Sequence, residues 1–167
     1  FFNIQNIEET NKNIKLLLEL SEENNFYGLL SKLELIEINL QEQNIQNAII
    51  LYLELLNNKN LDSTYKSAIA SKASYQFIDI NFEDLEKDYF DTIKNFILYI
   101  DDDLINYQEI TLELNYLLKI LEAEKNNLKY INFTEAIDMY KKIINSEIIS
   151  PTIKQRVNKI HEYFLYQ

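Results

Sequence analysis

The chain has 167 residues, enough for one domain with a sizeable core, and its single glycine, single proline and excess of Leu, Ile, Asn, Glu and Lys point to an all-α protein. A net charge of −11 repels polyanions, so nucleic acid and anionic membrane are poor partners. The absence of cysteine excludes disulfides and thiolate metal sites, and one glycine leaves no material for a phosphate-binding loop.

Apolar periodicity predicts eight helices in chain order. The first spans 4–20, with Ile7, Ile14, Leu17 and Leu18 inward. The second spans 26–40, with Tyr27, Leu30, Leu33, Ile36 and Leu40 inward. Gly28 inside it costs about 1 kcal/mol against alanine, which close approach of the first helix would explain. The third spans 45–57 behind Asn44 as cap, with Ile45, Ala48, Ile49, Tyr52, Leu55 and Leu56 on one stripe. The fourth spans 63–79, capped by Asp62, with Tyr65, Ala68, Ile69, Ala73, Gln76 and Phe77 inward.

The fifth helix is expected over 83–99, capped by Asn81, with Leu85, Tyr89, Ile93, Phe96 and Ile97 inward. Its early Glu83, Asp84, Glu86 and Asp88 suit the positive end of a helix dipole. Asp101-Asp102-Asp103 could hold a hard cation, but reads as a solvated turn with Asp103 capping the next helix. The sixth helix, 104–124, has apolar residues on two sides and is expected to be central. Glu109 and Glu113 share a face of it and read as exposed. The seventh spans 133–145, with Asn132 as cap and Glu135 completing a near capping box. The eighth spans 151–166, opened by Ser150-Pro151. The sole histidine, His161, follows Ile153, Val157 and Ile160 and reads as structural; alone it cannot build a zinc or di-iron site. No catalytic, metal or cofactor site is expected.

Asn44–Lys66 (NIQNAIILYLELLNNKNLDSTYK) recurs as Asn132–Lys154 (NFTEAIDMYKKIINSEIISPTIK) at an offset of 88, with seven of 23 positions identical. Such self-similarity marks a stacked repeat. Ala48 with Tyr52, and Ala136 with Tyr140, resemble the small and aromatic packing positions of the second helix of a tetratricopeptide repeat. The usual turn glycine is replaced, Gln43 and Ile131 standing before the asparagines. The succession AIILYLELL, NKNLDSTYK, FIDI, EAIDMYKKII and ISPTIKQRVNKI resembles the YfgM-like tetratricopeptide-repeat family of bacterial envelope proteins.

That resemblance implies a tetratricopeptide-like α-solenoid of about eight antiparallel helices over 1–167, without catalytic residues. It also implies a non-catalytic scaffold that binds a protein or peptide on the periplasmic side of the inner membrane, linked to translocation or chaperoning. No span in these residues can cross a bilayer, so the expected membrane link is a segment before Phe1; the alternative is a secreted or host-directed helical protein without an anchor. In such folds the first helix of each pair lines a concave groove. Thr64, Ser67, Ser71 and Tyr75 on the fourth helix, with Glu37 from the second, are the candidate protein-binding residues; the same small hydroxyls equally suit tight packing against another helix.

Overall fold

The computed structural model describes the backbone of residues 2–166 and the side chains of residues 12–166. It is all-α: eight α-helices and one 3₁₀ turn, with no strand among the described residues. The chain divides into two compact units, Phe1–Leu61 and Asp62–Gln167.

The first unit comprises α1 (Phe2–Ser21), α2 (Phe26–Gln41) and α3 (Ile45–Asn57), with α2 packed against both others. Ile7 lies outside the described side chains. Gly28 sets the geometry. A Cβ built there would lie 1.9 Å from the Glu23 carbonyl oxygen and 3.2 Å from that of Leu20, so only glycine lets the turn after α1 approach this closely. The inward face of α2 therefore runs through Gly28, Ser31, Leu35 and Ile36. Tyr27 and Leu30, expected inward, are exposed, as is Leu18 on α1. The predicted stripe of α3 is the buried one: Ala48, Ile49, Tyr52, Leu55 and Leu56. Asn44 precedes this helix but its side chain does not cap it; its amide donates to Glu42 Oε2 at 3.2 Å, and Gln43 takes the left-handed conformation at φ 61°.

The second unit comprises α4 (Ser63–Glu83), α5 (Phe90–Ile97), α6 (Ile105–Lys125), a 3₁₀ turn (Tyr130–Asn132), α7 (Thr134–Asn145) and α8 (Pro151–Leu165). Asp62 caps α4 through Tyr65 N, as expected, but Tyr65 and Ala68 are exposed. The expected fifth helix starts too early. Phe77, Ile78 and Phe82 carry α4 on through Asn81, and residues 84–89 form a loop instead of a first turn. Buried Asn81 is the reason: its amide donates to the Lys87 carbonyl, and its Oδ1 accepts from Tyr89 N at 3.1 Å. The acids expected at that helix start lie at the end of α4 or in the loop, where Asp88 pairs with Lys125 at 2.6 Å and Leu85 is exposed.

The central position expected for the sixth helix holds. α6 packs against α4, α5, α7 and α8 and buries residues on more than one side. Asp103 does not cap it; Asp101 Oδ1 accepts from Asp103 N at 3.2 Å within a tight turn. Asn132 falls in the 3₁₀ turn rather than capping α7, and Glu135 pairs with Lys119. Ser150 caps α8 through Ile153 N with Pro151 in the first turn, as expected.

The 88-residue offset survives at the level of elements. α3 and α7 end at Asn57 and Asn145; α4 and α8 begin at Ser63 and Pro151. The Asn58 and Ser146 amides each donate back three residues, to Leu55 and Ile143. Ala48 and Ala136 are both fully buried. Tyr52 is fully buried, whereas Tyr140 is half-buried and stacks on His161.

Gly28→Ala should destabilise the protein. The contact at 1.9 Å is with backbone that cannot swing aside, so overpacking of about 1–3 kcal/mol exceeds the roughly 1 kcal/mol gained in helix propensity. A denaturation midpoint equal to or above that of the parent chain would contradict this close approach.

Candidate functional site

Three helices of the second unit open a groove of about 520 Å³, within the range of ligand pockets. Ile78, Asp79 and Phe82 come from α4, Leu117 and Glu124 from α6, and Ile160, Tyr163 and Phe164 from α8. Leu85 from the 84–89 loop completes the lining. The apolar wall is aromatic where α4 faces α8: the Phe82 and Phe164 rings lie 6.2 Å apart, and Tyr163 meets Phe164 edge-on at 5.1 Å.

The groove also holds one polar cluster. Glu113 on α6 is 1% exposed. Its carboxylate accepts from the Tyr75 hydroxyl at 2.6 Å and from Arg156 Nε at 2.9 Å, with a second bond from the same guanidinium to Oε2. One buried carboxylate thereby ties α4, α6 and α8 together. The fork of the guanidinium matches the two carboxylate oxygens, which a lysine cannot do. Arg156 is the chain's only arginine. Its side chain is 51% exposed, so the edge not engaged by Glu113 stays open to the groove. The bonds to Glu113 hold the guanidinium above its ordinary pKa; burial, followed by the bond to Glu113, raises that of the Tyr75 hydroxyl well beyond the phenol range. Both groups keep their protons at any physiological pH.

A second polar chain starts one turn further along α6, at Tyr116. The hydroxyls of Tyr116 and Tyr130 are 2.9 Å apart, and that of Tyr130 is 2.7 Å from His161 Nδ1. The imidazole stacks on Tyr140 at 3.6 Å with planes 7° apart, and Tyr140 donates to Asn158 Oδ1 at 2.7 Å. His161 is thus held among aromatic rings, and burial lowers its pKa against a smaller opposing effect of Glu162.

The residues singled out in the sequence lie as follows. Ser67 and Ser71 are buried: Ser67 Oγ accepts from Asp101 N at 2.9 Å, and Ser71 Oγ donates to the Ser67 carbonyl at 2.7 Å. This small-residue face of α4 packs against α5 and α6. Thr64 is exposed, its carbonyl 3.5 Å from the Tyr107 hydroxyl. Glu37 is half-buried in the first unit. Of the five, Tyr75 alone lines the groove. Glu113, read as exposed, is buried, while Glu109 is half-buried and accepts from Ser150 N at 2.7 Å at the start of α8. The sequence held a signal for Glu113, which shares helical spacing with Tyr116, Leu117 and Ile120, all buried. No metal-binding group of three or more His, Cys, Asp or Glu occurs among the described residues, nor any helix long and apolar enough to cross a membrane. No protein-family model matches this chain, and no curated protein or solved structure is similar to it.

Two predictions test the polar clusters. Arg156→Met strands the Glu113 carboxylate and should cost about 1–3 kcal/mol, with Arg156→Lys falling between it and the parent. Adding Glu113→Gln to Arg156→Met should recover part of the loss. Chemical denaturation checks the series, and a parent-like midpoint for Arg156→Met would show that the ion pair is dispensable. For His161 the folded pKa lies below the ordinary value of about 6.5. The unfolded chain therefore binds more protons in that window. The contribution is fully present above about pH 6.5 and is lost as pH falls through the folded value. The midpoint of the parent should accordingly drop between pH 7 and pH 5 relative to that of His161→Gln; parallel pH profiles would contradict it.

Proposed function

We propose that this chain is a non-catalytic interaction scaffold of tetratricopeptide-like helical build, and that it binds a polypeptide segment in the groove between α4, α6 and α8. The observation that carries this reading is the groove itself: an open apolar trough with aromatic walls, fixed across three helices by the Tyr75–Glu113–Arg156 cluster. Its walls are pre-formed, so a ligand need not order them on binding. The helical-repeat build is supported by the matching helix ends at the 88-residue offset. It is also supported by packing in the second unit, where α6 meets α4 and α8 as well as its neighbours in sequence. The setting on the periplasmic side of a bacterial inner membrane, with a link to translocation or chaperoning, rests on the resemblance of ISPTIKQRVNKI and the preceding motifs to the YfgM-like family.

A photo-reactive residue tests the reading directly. Placed at Tyr163, which lines the groove and is 62% exposed, it should give protease-sensitive adducts in the cells that make the protein. Placed at Ile105, 89% exposed and outside the groove, it should not. Absence of polypeptide adducts at Tyr163, or equal yields at both positions, would overturn it.

A further inference from the structure

We propose that the segment bound in this groove is an amphipathic helix whose apolar face is edged by lysine or arginine, the cations pairing with Asp79 and Glu124. The inference rests on the reading of the groove as a polypeptide site and adds the chemistry of the partner.

The charge balance comes first. The lining holds three carboxylates, Asp79, Glu113 and Glu124, against one cation, Arg156. Glu113 and Arg156 neutralise each other, which leaves two negative charges beside apolar side chains. Neither Asp79 nor Glu124 has an ion-pair partner among the described residues. Three lysines near them in sequence are engaged elsewhere: Lys87 with Asp84, Lys119 with Glu122 and Glu135, and Lys125 with Asp88. Partial desolvation, reinforced by Glu83, raises the Asp79 carboxyl pKa, so the carboxylate there gains from an incoming cation.

The form of the partner follows from what the groove lacks. A peptide that docks as an added strand needs a sheet edge to pair its row of N–H and C=O groups. The unit offers no strand among its described residues. The polar groups facing the groove are Asp79, Glu124, the open edge of Arg156 and two tyrosine hydroxyls, one of them already bonded to Glu113. A helix satisfies its own backbone and needs only anchors at i, i+3, i+4 and i+7, which a trough walled by Phe82, Ile160 and Phe164 accepts. The aliphatic stems of flanking lysines or arginines can lie over the exposed aromatic edges while their charges reach the rim. An acidic helix would be repelled by the same two carboxylates and by the net charge of −11.

The test is fluorescence anisotropy with the full chain and two designed helical peptides. Both carry leucine at i, i+3, i+4 and i+7; one has flanking lysines and the other glutamates at the same places. The basic peptide should bind saturably and lose affinity as salt rises. It should also weaken by about tenfold in Asp79→Asn/Glu124→Gln, whose rim positions leave the core untouched. The acidic peptide should not bind. Equal binding of the two peptides, or an unchanged affinity in the double variant, overturns the charge assignment and leaves the polypeptide reading standing. If neither peptide binds while Tyr163 still gives polypeptide adducts, the helical basic partner is wrong and the groove reading survives. If both assays are blank, both fall. A long-chain alkylammonium that binds more tightly than the basic peptide would assign the groove to a small cationic amphiphile instead.

Discussion

The second unit depends on one buried carboxylate. Glu113 on α6 is the one buried charged side chain among the described residues, and burying a lone carboxylate costs several kcal/mol. Its bonds to Tyr75 and Arg156 meet that cost only if α4 and α8 sit at the one height and rotation that bring both donors within reach. The stripes around it do not impose this. Leu114, Leu117, Leu118 and Leu121 on α6, and Ile153 and Val157 on α8, are all aliphatic and carry no directional bond. A slide of one helical turn, about 5.4 Å, would present a similar stripe. The same slide would carry Arg156 off Glu113 and strand the charge. Packing thus supplies the bulk of the stability, and the ion pair selects the register.

The same geometry creates the groove. Arg156 is drawn inward by Glu113, while Ile160, Tyr163 and Phe164 on the following turns of α8 line the groove with Phe82 and Ile78, the Phe82 and Phe164 rings meeting at one side of it. A lysine would not reproduce this, because a single ammonium lacks the two-pronged match to a carboxylate. In a chain whose fifteen other basic residues are all lysine, the one arginine stands where that fork is used.

The helical class, most helix boundaries and the buried face of α3 were legible in the sequence because each rests on local rules. Apolar residues recurred at 3–4 residue spacing, and Asp62 and Ser150 stood where side-chain caps belong. The failures came where a polar residue acted across the chain. Asn81 resembles a helix cap, yet in α4 its side chain reaches forward to close the 84–89 loop, which no local pattern specifies. Asn44 and Asn132 resemble caps too, but a left-handed Gln43 and a 3₁₀ turn take over those starts. Periodicity places Tyr27 and Leu30 inward. The face of α2 is instead set by Gly28, where the turn after α1 leaves no room for a Cβ.

The candidate site was legible in part, and for an instructive reason. Tyr75 stood out as a polar aromatic beside small hydroxyls, and it does line the groove. Ser67 and Ser71 carried the same signal, but hydroxyls that bond to carbonyls four residues back, as those of Ser71 and its neighbour Ser74 do, cost little to bury. A stripe of serines can therefore be an interior packing face as easily as a binding wall, and residue type alone cannot separate the two. Glu113 and Arg156 lie 43 residues apart in sequence. Their pairing follows only from the crossing of α6 and α8. What the sequence does offer is an anomaly on each side: an acid in phase with Tyr116, Leu117 and Ile120, and an arginine in a lysine-only background. A charge in phase with an apolar stripe must find a counter-charge or neutralise. The residue best suited to answer a buried carboxylate bidentately is arginine. One arginine narrows the search on the basic side, but Glu109 and Glu124 lie in the same helical phase as Glu113, so which acid it answers is fixed by the crossing of α6 and α8.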